Sequence, residues 1–366
     1  MPAERATFQA RQRRASEGLR AHGLAALLLS PSSDLVYLAG YRIHASERLT
    51  CLVVSAGGAT LVVPELEAPR ARAAAPDLTL RTWGETSDPY TLVAELVTGT
   101  GDVAVADQMP ALFVLRLQAA LRGRAFRLAS TITRGLRMRK DPGERDALRA
   151  VSAAADRAYQ RVLECEFAGR TEREIGAMLA ALLREEGHDT VEFTIVGSGP
   201  NGASPHHDTG DRRIARGDAV VLDFGGTRDG YWSDITRTVV VGEPDAEQRK
   251  VHDVVRRAQE AGYAAARAGV PAQSVDAAAR RVIDDAGYGK YFIHRTGHGI
   301  GLDGHEHPYL VRGNDERLEP GMAFSIEPGV YLPGRFGVRI EDIAIIGDDG
   351  RAEPLNHADH ALAVVS

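Results

Sequence analysis

Along the first third of the chain, hydrophobic and polar positions read as alternating helix and strand. An amphipathic opening runs to about residue 22, and apolar runs follow at 24–29, 50–54 and 60–63, with Gly57-Gly58 between the last two as a hairpin turn. Residues 102–106 and 125–128 read as short strands flanking a helical segment at 110–121. The pattern predicts a small α/β domain over residues 1–135.

The run 134–146 carries Arg134, Arg137, Arg139, Lys140 and Arg145, then Asp141-Pro142-Gly143-Glu144. Proline near the first helical position and acids in the first turn make it a domain junction followed by a helix start. Beyond it, in a second domain at 136–366, helical patterns at 144–167, 171–186, 246–268 and 274–286 alternate with Val-, Ile- and Phe-rich strand-like runs. Gly-centred hairpins replace strict βα alternation, so the expected class is α+β.

Composition narrows the function. The 366 residues carry 44 Lys+Arg against 50 Asp+Glu, a net charge of −6, which argues against a nucleic-acid binder with its basic stripe. Two cysteines, Cys51 and Cys165, support neither a disulfide framework nor a thiolate zinc site, so cytosol is the expected compartment. No stretch of about 18 uncharged apolar residues predicts a membrane span, and the opening Met1-Pro2-Ala3-Glu4-Arg5 is not that of a signal peptide. Gly197-Ser198-Gly199-Pro200-Asn201-Gly202 spells a dinucleotide fingerprint, but Pro200 and Pro205 forbid the helix that such a fingerprint must open.

The chemistry lies in two hairpins. Centring the first between Arg228 and Asp229 places Asp223 opposite Asp234, and centring the second on Gly334 places Glu327 opposite Glu341. Directly opposed like charges destabilise a sheet unless something compensates, and a bound cation does so. Between the hairpins lies the histidine-rich stretch His294-Arg295-Thr296-Gly297-His298-Gly299-Ile300-Gly301-Leu302-Asp303-Gly304-His305-Glu306-His307. Four carboxylates are neutralised by two divalent cations, and oxygen ligands with one imidazole suit Mn²⁺, Fe²⁺, Co²⁺ or Zn²⁺. Such a pair lowers the pKa of a bound water and polarises a carbonyl.

Five blocks, in order, carry a resemblance: Val221-Leu222-Asp223-Phe224-Gly225-Gly226, Ser233-Asp234-Ile235-Thr236-Arg237-Thr238, Thr296-Gly297-His298-Gly299-Ile300-Gly301-Leu302-Asp303, Ile326-Glu327-Pro328-Gly329-Val330-Tyr331 and Gly337-Val338-Arg339-Ile340-Glu341-Asp342. The chain resembles the metallopeptidase family of prolidase (Xaa-Pro dipeptidase), aminopeptidase P and methionine aminopeptidase. The resemblance implies a C-terminal pita-bread catalytic domain behind a smaller creatinase-like α/β domain. It implies two divalent metal ions per subunit, Mn²⁺ first among the candidates, held by Asp223, Asp234, His298, Glu327 and Glu341. It also implies that His206, preferred to His207, and His305 donate to the scissile carbonyl oxygen while Glu327 handles the proton, and it makes His294 and Arg339 candidates for substrate contact.

The additional N-terminal domain and the stretch His305-Glu306-His307-Pro308-Tyr309 resemble the proline-directed members, which implies Xaa-Pro dipeptides or short peptides as substrates and a homodimer. His307 stands where an acid is commoner in that family. An Xaa-Pro dipeptidase is the expected activity, with an aminopeptidase acting on longer Xaa-Pro peptides and a catalytically silent peptide- or protein-binding member as alternatives. Arginine matches a carboxylate with two parallel hydrogen bonds, so Arg42 or Arg48 in the 41–48 loop is the expected grip on a dipeptide's carboxylate.

Overall fold

The structure, a computed structural model, describes residues 5–366. Met1, Pro2, Ala3 and Glu4, part of the opening considered above as a possible signal peptide, lie outside the described residues. The chain folds as two compact units, Met1–Arg137 and Met138–Ser366.

In the first unit, helix α1 (Arg5–Ala21) precedes strand β1 (Leu24–Leu29) and helix α2 (Ser33–Ala39). Strands β2 (Cys51–Ser55) and β3 (Gly58–Pro64), helix α3 (Ala68–Ala74), strand β4 (Thr79–Trp83) and helix α4 (Pro89–Leu96) follow. Strand β5 (Asp102–Val105), helix α5 (Ala111–Ala120), strand β6 (Phe126–Leu128) and helix α6 (Ser130–Met138) bring the chain to the boundary. One mixed sheet runs in the order β4-β3-β2-β1-β5-β6. Ser55 pairs with Gly58, so the turn is Ala56-Gly57, one residue earlier than the apolar runs suggested. The pattern overlooked β4 because it is an edge strand whose residues are largely exposed, leaving no apolar run to read. Helix α2 also went unread, although it is closed by Ser32 at its N-cap and by Gly40 at φ 68°.

The second unit begins with the helix pair α7 (Pro142–Val162) and α8 (Glu172–Glu185). Both start at a capping box, Asp141 with Glu144 and Thr171 with Glu174. Strands β7 (Thr190–Ser198), β8 (Ala219–Arg228) and β9 (Tyr231–Val241) follow, then helices α9 (Ala246–Ala265) and α10 (Ala272–Asp285). Strands β10 (Gly297–Gly299), β11 (Glu306–Leu310), β12 (Ala323–Ile326), β13 (Gly329–Leu332), β14 (Phe336–Arg339), β15 (Asp342–Ile346), β16 (Ala352–Pro354) and β17 (Ala363–Val365) complete it. They form sheets of order β17-β9-β8-β7 and β11-β10-β12-β15-β16, with β13-β14 as a separate ribbon. The fingerprint look-alike closes β7 and enters a short 3₁₀ turn, Gly199–Ala203, and opens no α-helix.

Side chains alternate across a strand, and that alternation sorts β8 and β9. Val220, Leu222, Phe224, Ile235, Val239 and Val241 pack with Tyr159, Ile175, Leu179 and Leu183 of α7 and α8. Asp223, Gly225, Asp234 and Thr236 therefore share the opposite face. Helices α9 and α10 cover β13–β14 through Val254, Val255, Ala258, Ile283, Val330, Leu332 and Val338.

Candidate metal centre and its pocket

The β8–β9 turn is the two-residue loop Asp229-Gly230, both left-handed at φ 53° and 84°. Asp223 accordingly pairs with Thr236, and Asp234 with Gly225, which corrects the direct Asp223–Asp234 pairing read from the sequence. Moving a hairpin's centre by one residue moves every partner by two, so the two aspartates stay on one face as diagonal neighbours.

In the second hairpin the register is the one read from the sequence. Ile326 pairs with Asp342 and Gly329 with Arg339, bracketing Glu327 and Glu341. At that point the two backbones part, Glu327 N–H donating to the Thr296 carbonyl and Glu341 N–H to that of Thr236. His298 sits in β10 between two glycines. A Cβ at Gly297 would lie 1.9 Å from the Ser325 carbonyl oxygen, and one at Gly299 2.2 Å from that of His307, so only glycine lets these strands close around the imidazole.

These segments converge in one largely buried cluster, with His305 at its solvent-open edge. Ligand atoms of Asp223, Asp234 and Glu341, of His298, Glu327 and Glu341, and of Asp234, His298 and His305 form three sets, each within 4.8 Å. His298 Nε2 lies 3.5 Å from Glu327 Oε1, 3.6 Å from Asp234 Oδ2 and 4.0 Å from Glu341 Oε1. Its Nδ1 donates to the Gly299 carbonyl at 3.1 Å, leaving Nε2 as the ring's lone-pair nitrogen. Burial pushes its pKa down to about 3, with His305 adding to the shift. Burial beside neighbouring carboxylates pushes Asp234 and Glu341 well up, and Glu327 to about 7.

Arg339 is tied down on every side. It pairs with Asp223 through Nη2 and donates to Tyr331 Oη at 2.9 Å and Thr236 Oγ1 at 3.1 Å. Thr236 Oγ1 donates in turn to Glu341 Oε2 at 2.7 Å. His294 donates from Nδ1 to the Arg295 carbonyl at 2.7 Å and accepts at Nε2 from Tyr331 Oη at 2.8 Å, so both its ring nitrogens are engaged.

A cavity of about 700 Å³ opens over the cluster, lined on one side by Phe193, Ile195, Pro205 and Trp232. His206 and His305 line it as well, while His207 turns to the buried Glu172 at 2.8 Å. Arg295 donates to His305 Nδ1 at 3.1 Å. Guanidinium only donates, so a neutral His305 carries its proton on Nε2. Its pKa is held down by burial and by Arg295.

In the N-terminal unit, Arg48 pairs with Glu47 and with Glu85 at 3.0 Å, and the Arg42 carbonyl accepts from Arg70.

The profile of Metallopeptidase family M24 matches residues 146–348, which hold every member of the cluster. The chain belongs to this family. The profile of the Creatinase/Prolidase N-terminal domain matches residues 11–139, so the chain has the two-domain architecture its motifs led us to expect. The probable dipeptidase PepE of Mycobacterium tuberculosis is 51% identical over 94% of this chain and 92% of its own. An Xaa-Pro dipeptidase of Lactobacillus helveticus is 36% identical over 92% of this chain and 94% of its own. The crystal structure of dipeptidase PepE from Mycobacterium ulcerans superposes with a TM-score of 0.95 at 46% identity, covering all of both chains.

M24 membership implies divalent metal ions, and the cluster's donors fit them. Asp223 Oδ1 and Glu341 Oε1 are buried without a hydrogen-bond partner, an arrangement that costs free energy unless a cation takes up the lone pairs. Sequence reasoning passed over Arg295, Trp232 and the apolar wall of this M24 pocket. Arg295 stands beside His294 in the quoted stretch, and its one available signal was a cation placed among metal-ligating residues.

Proposed function

We propose that the chain is an Xaa-Pro dipeptidase whose two divalent cations, Mn²⁺ in the cell, are held by Asp223, Asp234, His298, Glu327 and Glu341. The observation that carries this reading is the convergence of these five side chains beneath one cavity, with two carboxylate oxygens left unpartnered. The names of relatives 51% and 36% identical over nearly the whole chain support the dipeptide substrate.

When bound, the metals lower the pKa of water and polarise the scissile carbonyl. The chain's own groups do the rest. His305, donating from Nε2, and His206 stabilise negative charge on the carbonyl oxygen, and loss of such a donor costs on the order of 10²–10³ in rate. Glu327 carries the proton from water to the leaving proline nitrogen. Arg339 and Thr236 orient Asp223 and Glu341, and Tyr331 holds His294 at the cavity wall. The wall of Phe193, Ile195, Pro205 and Trp232 receives the pyrrolidine ring and the side chain before it.

The N-terminal unit, in this reading, mediates a homodimer, and its Arg42 or Arg48 closes the site against longer peptides. Light scattering tests the dimer; unchanged dipeptide KM and chain-length preference in Arg42→Ala and Arg48→Ala would refute the closing role. The two unpaired cysteines support the cytosol as the compartment, which cell fractionation tests. For the activity itself, metal-stripped protein resupplied with Mn²⁺, Co²⁺ or Zn²⁺ is given Ala-Pro, Ala-Pro-Ala and a longer Xaa-Pro peptide, and products are read by mass. Metal-dependent cleavage of the dipeptide is expected. Preference for longer substrates would make the protein an aminopeptidase, and absence of metal-dependent cleavage would leave the peptide-binding alternative.

A further inference from the structure

Between the 3₁₀ turn Gly289–Tyr291 and strand β10 the chain runs outside regular structure, and this stretch carries His294 and leads into His298. Without a helix or a ladder, its backbone groups need other partners to fix their path. Two side chains one turn apart on α10 supply them. Arg280 donates from Nη1 to the Phe292 carbonyl and from Nη2 to the His294 carbonyl, both at 2.9 Å. Its guanidinium carbon lies 4.2 Å from the centre of the Phe292 ring. Asp276 Oδ1 accepts from Thr296 Oγ1 at 2.8 Å and from Thr296 N–H at 3.2 Å, the latter shared with the Leu310 carbonyl at 3.0 Å.

The two side chains also hold each other. Arg280 donates from Nη2 to Asp276 Oδ1 at 3.0 Å and from Nε to Oδ2 at 3.2 Å. One ion pair thus fixes positions 292, 294 and 296 together. Asp276 and Thr296 are buried, and neither Asp276 nor Arg280 lines the catalytic cavity.

Two groups of the site hang on the segment so held. His294 lines the cavity, and the Thr296 carbonyl accepts from Glu327 N–H at 2.8 Å. We propose that Asp276 and Arg280 act as one positioning unit: touching neither metal nor substrate, they set where Glu327 and His294 stand at the metal centre. A reacting group misplaced by about 1 Å costs about 10²-fold in rate, so a brace one hydrogen bond removed reaches the chemistry.

A second cavity, of about 510 Å³, borders the pair and is lined by Asp276, Arg280, Arg281, Asp284, Asp285 and Arg312. Arg280→Ala therefore vacates a slot that free guanidinium ion can enter. The experiment uses full-length, metal-loaded R280A with Ala-Pro as substrate, and guanidinium chloride well below the concentration that unfolds the protein. The kcat is expected to fall about 10–100-fold and to recover several-fold with guanidinium, whereas equal NaCl or urea has no effect. D276A/R280A is expected to be no slower than R280A, since residues that act as a unit are not additive. It is also expected to ignore guanidinium, having no carboxylate to seat it.

The Co²⁺-loaded protein gives a readout without turnover. Visible absorption of the bound ion reports the arrangement of its ligands; R280A shifts it and guanidinium restores it. T296V, isosteric and leaving the ion pair intact, reproduces part of the fall in kcat, and T296S does not. Circular dichroism and metal content confirm that each variant is folded and loaded.

Folded, loaded R280A with wild-type kcat and spectrum overturns the assignment, and so does a loss that guanidinium leaves unrelieved. If R280A does not fold, the threonine variants decide, and equal kcat in T296V and T296S overturns it. The assignment rests on the Xaa-Pro reading for its substrate. Wild type that leaves Ala-Pro uncleaved overturns that reading, while the Co²⁺ spectra of wild type and R280A still decide the positioning role.

Discussion

Replacing Arg237 by methionine tests whether the floor of the site is held from behind. Arg237 is 2% exposed, and its five N–H groups meet five acceptors. Nε donates to the Asp359 carbonyl, Nη1 to those of Thr236 and Glu341, and Nη2 to Asp342 Oδ1 at 2.6 Å and to the Ala358 carbonyl. Burial works against the Asp342 charge, yet Arg237 and His360 beside it hold its pKa below the ordinary range. Arg237→Met takes the donor from Asp342 Oδ1 and from four carbonyls, leaving that carboxylate only Gln259 and His360 on Oδ2, and removing one partner of a buried pair costs about 3–5 kcal/mol. For a unit of this size the loss corresponds to about 6–20 °C in Tm. The assay is thermal unfolding by circular dichroism, beside an Arg237→Met/Asp342→Leu variant. The double variant should recover much of the loss, because a buried ion pair replaced by apolar groups is often close to neutral. A single variant melting within about 2 °C of wild type would refute the reasoning. So would a double variant worse than the single one.

Three further outcomes are expected. Thr236→Val removes the donor to Glu341 Oε2 and the acceptor for Arg339 Nε, and should weaken metal affinity about 10–100-fold in a chelator competition while secondary structure is kept. Gly297→Ala drives a methyl to 1.9 Å from the Ser325 carbonyl oxygen; the clash is with backbone, so it should cost at least about 3 kcal/mol, read as a fall in urea midpoint. His252 is held neutral, burial and Arg256 pushing its pKa from 6.5 down to about 4. Between those two values the unfolded chain binds a proton that the folded chain does not, so stability falls as pH drops from 6.5 to 4, by about 3 kcal/mol in all. His252→Phe should shrink the difference in unfolding free energy between pH 7 and pH 4.5 by about 2–3 kcal/mol relative to wild type.

The strand-borne part of the site was legible because strands have a fixed period. Asp223 and Asp234 were placed one turn position out of register, yet the error preserved their common face, and the register of Glu327 and Glu341 needed no change. Loop-borne groups were harder to read. His206 was separable from His207 by family resemblance, whereas the geometry that distinguishes them is the buried Glu172, which accepts from Ser198, Asn201, Gly210 and His207 and so fixes the loop. Those partners lie up to 38 residues away, a range over which no periodicity carries information. Arg295 and Tyr309 meet only because β10 and β11 fold back on each other.

The separation of 116 residues between Asp223 and Arg339 has a consequence for how the protein is made. At about 5–20 residues per second, a ribosome delivers the arginine some 6–23 s after the aspartate. The β8–β9 hairpin is local and forms within microseconds, so its two aspartates share a face long before Arg339 can neutralise either of them. Until then the two aspartates repel each other across the formed hairpin, so it is less stable in the nascent chain than in the finished site.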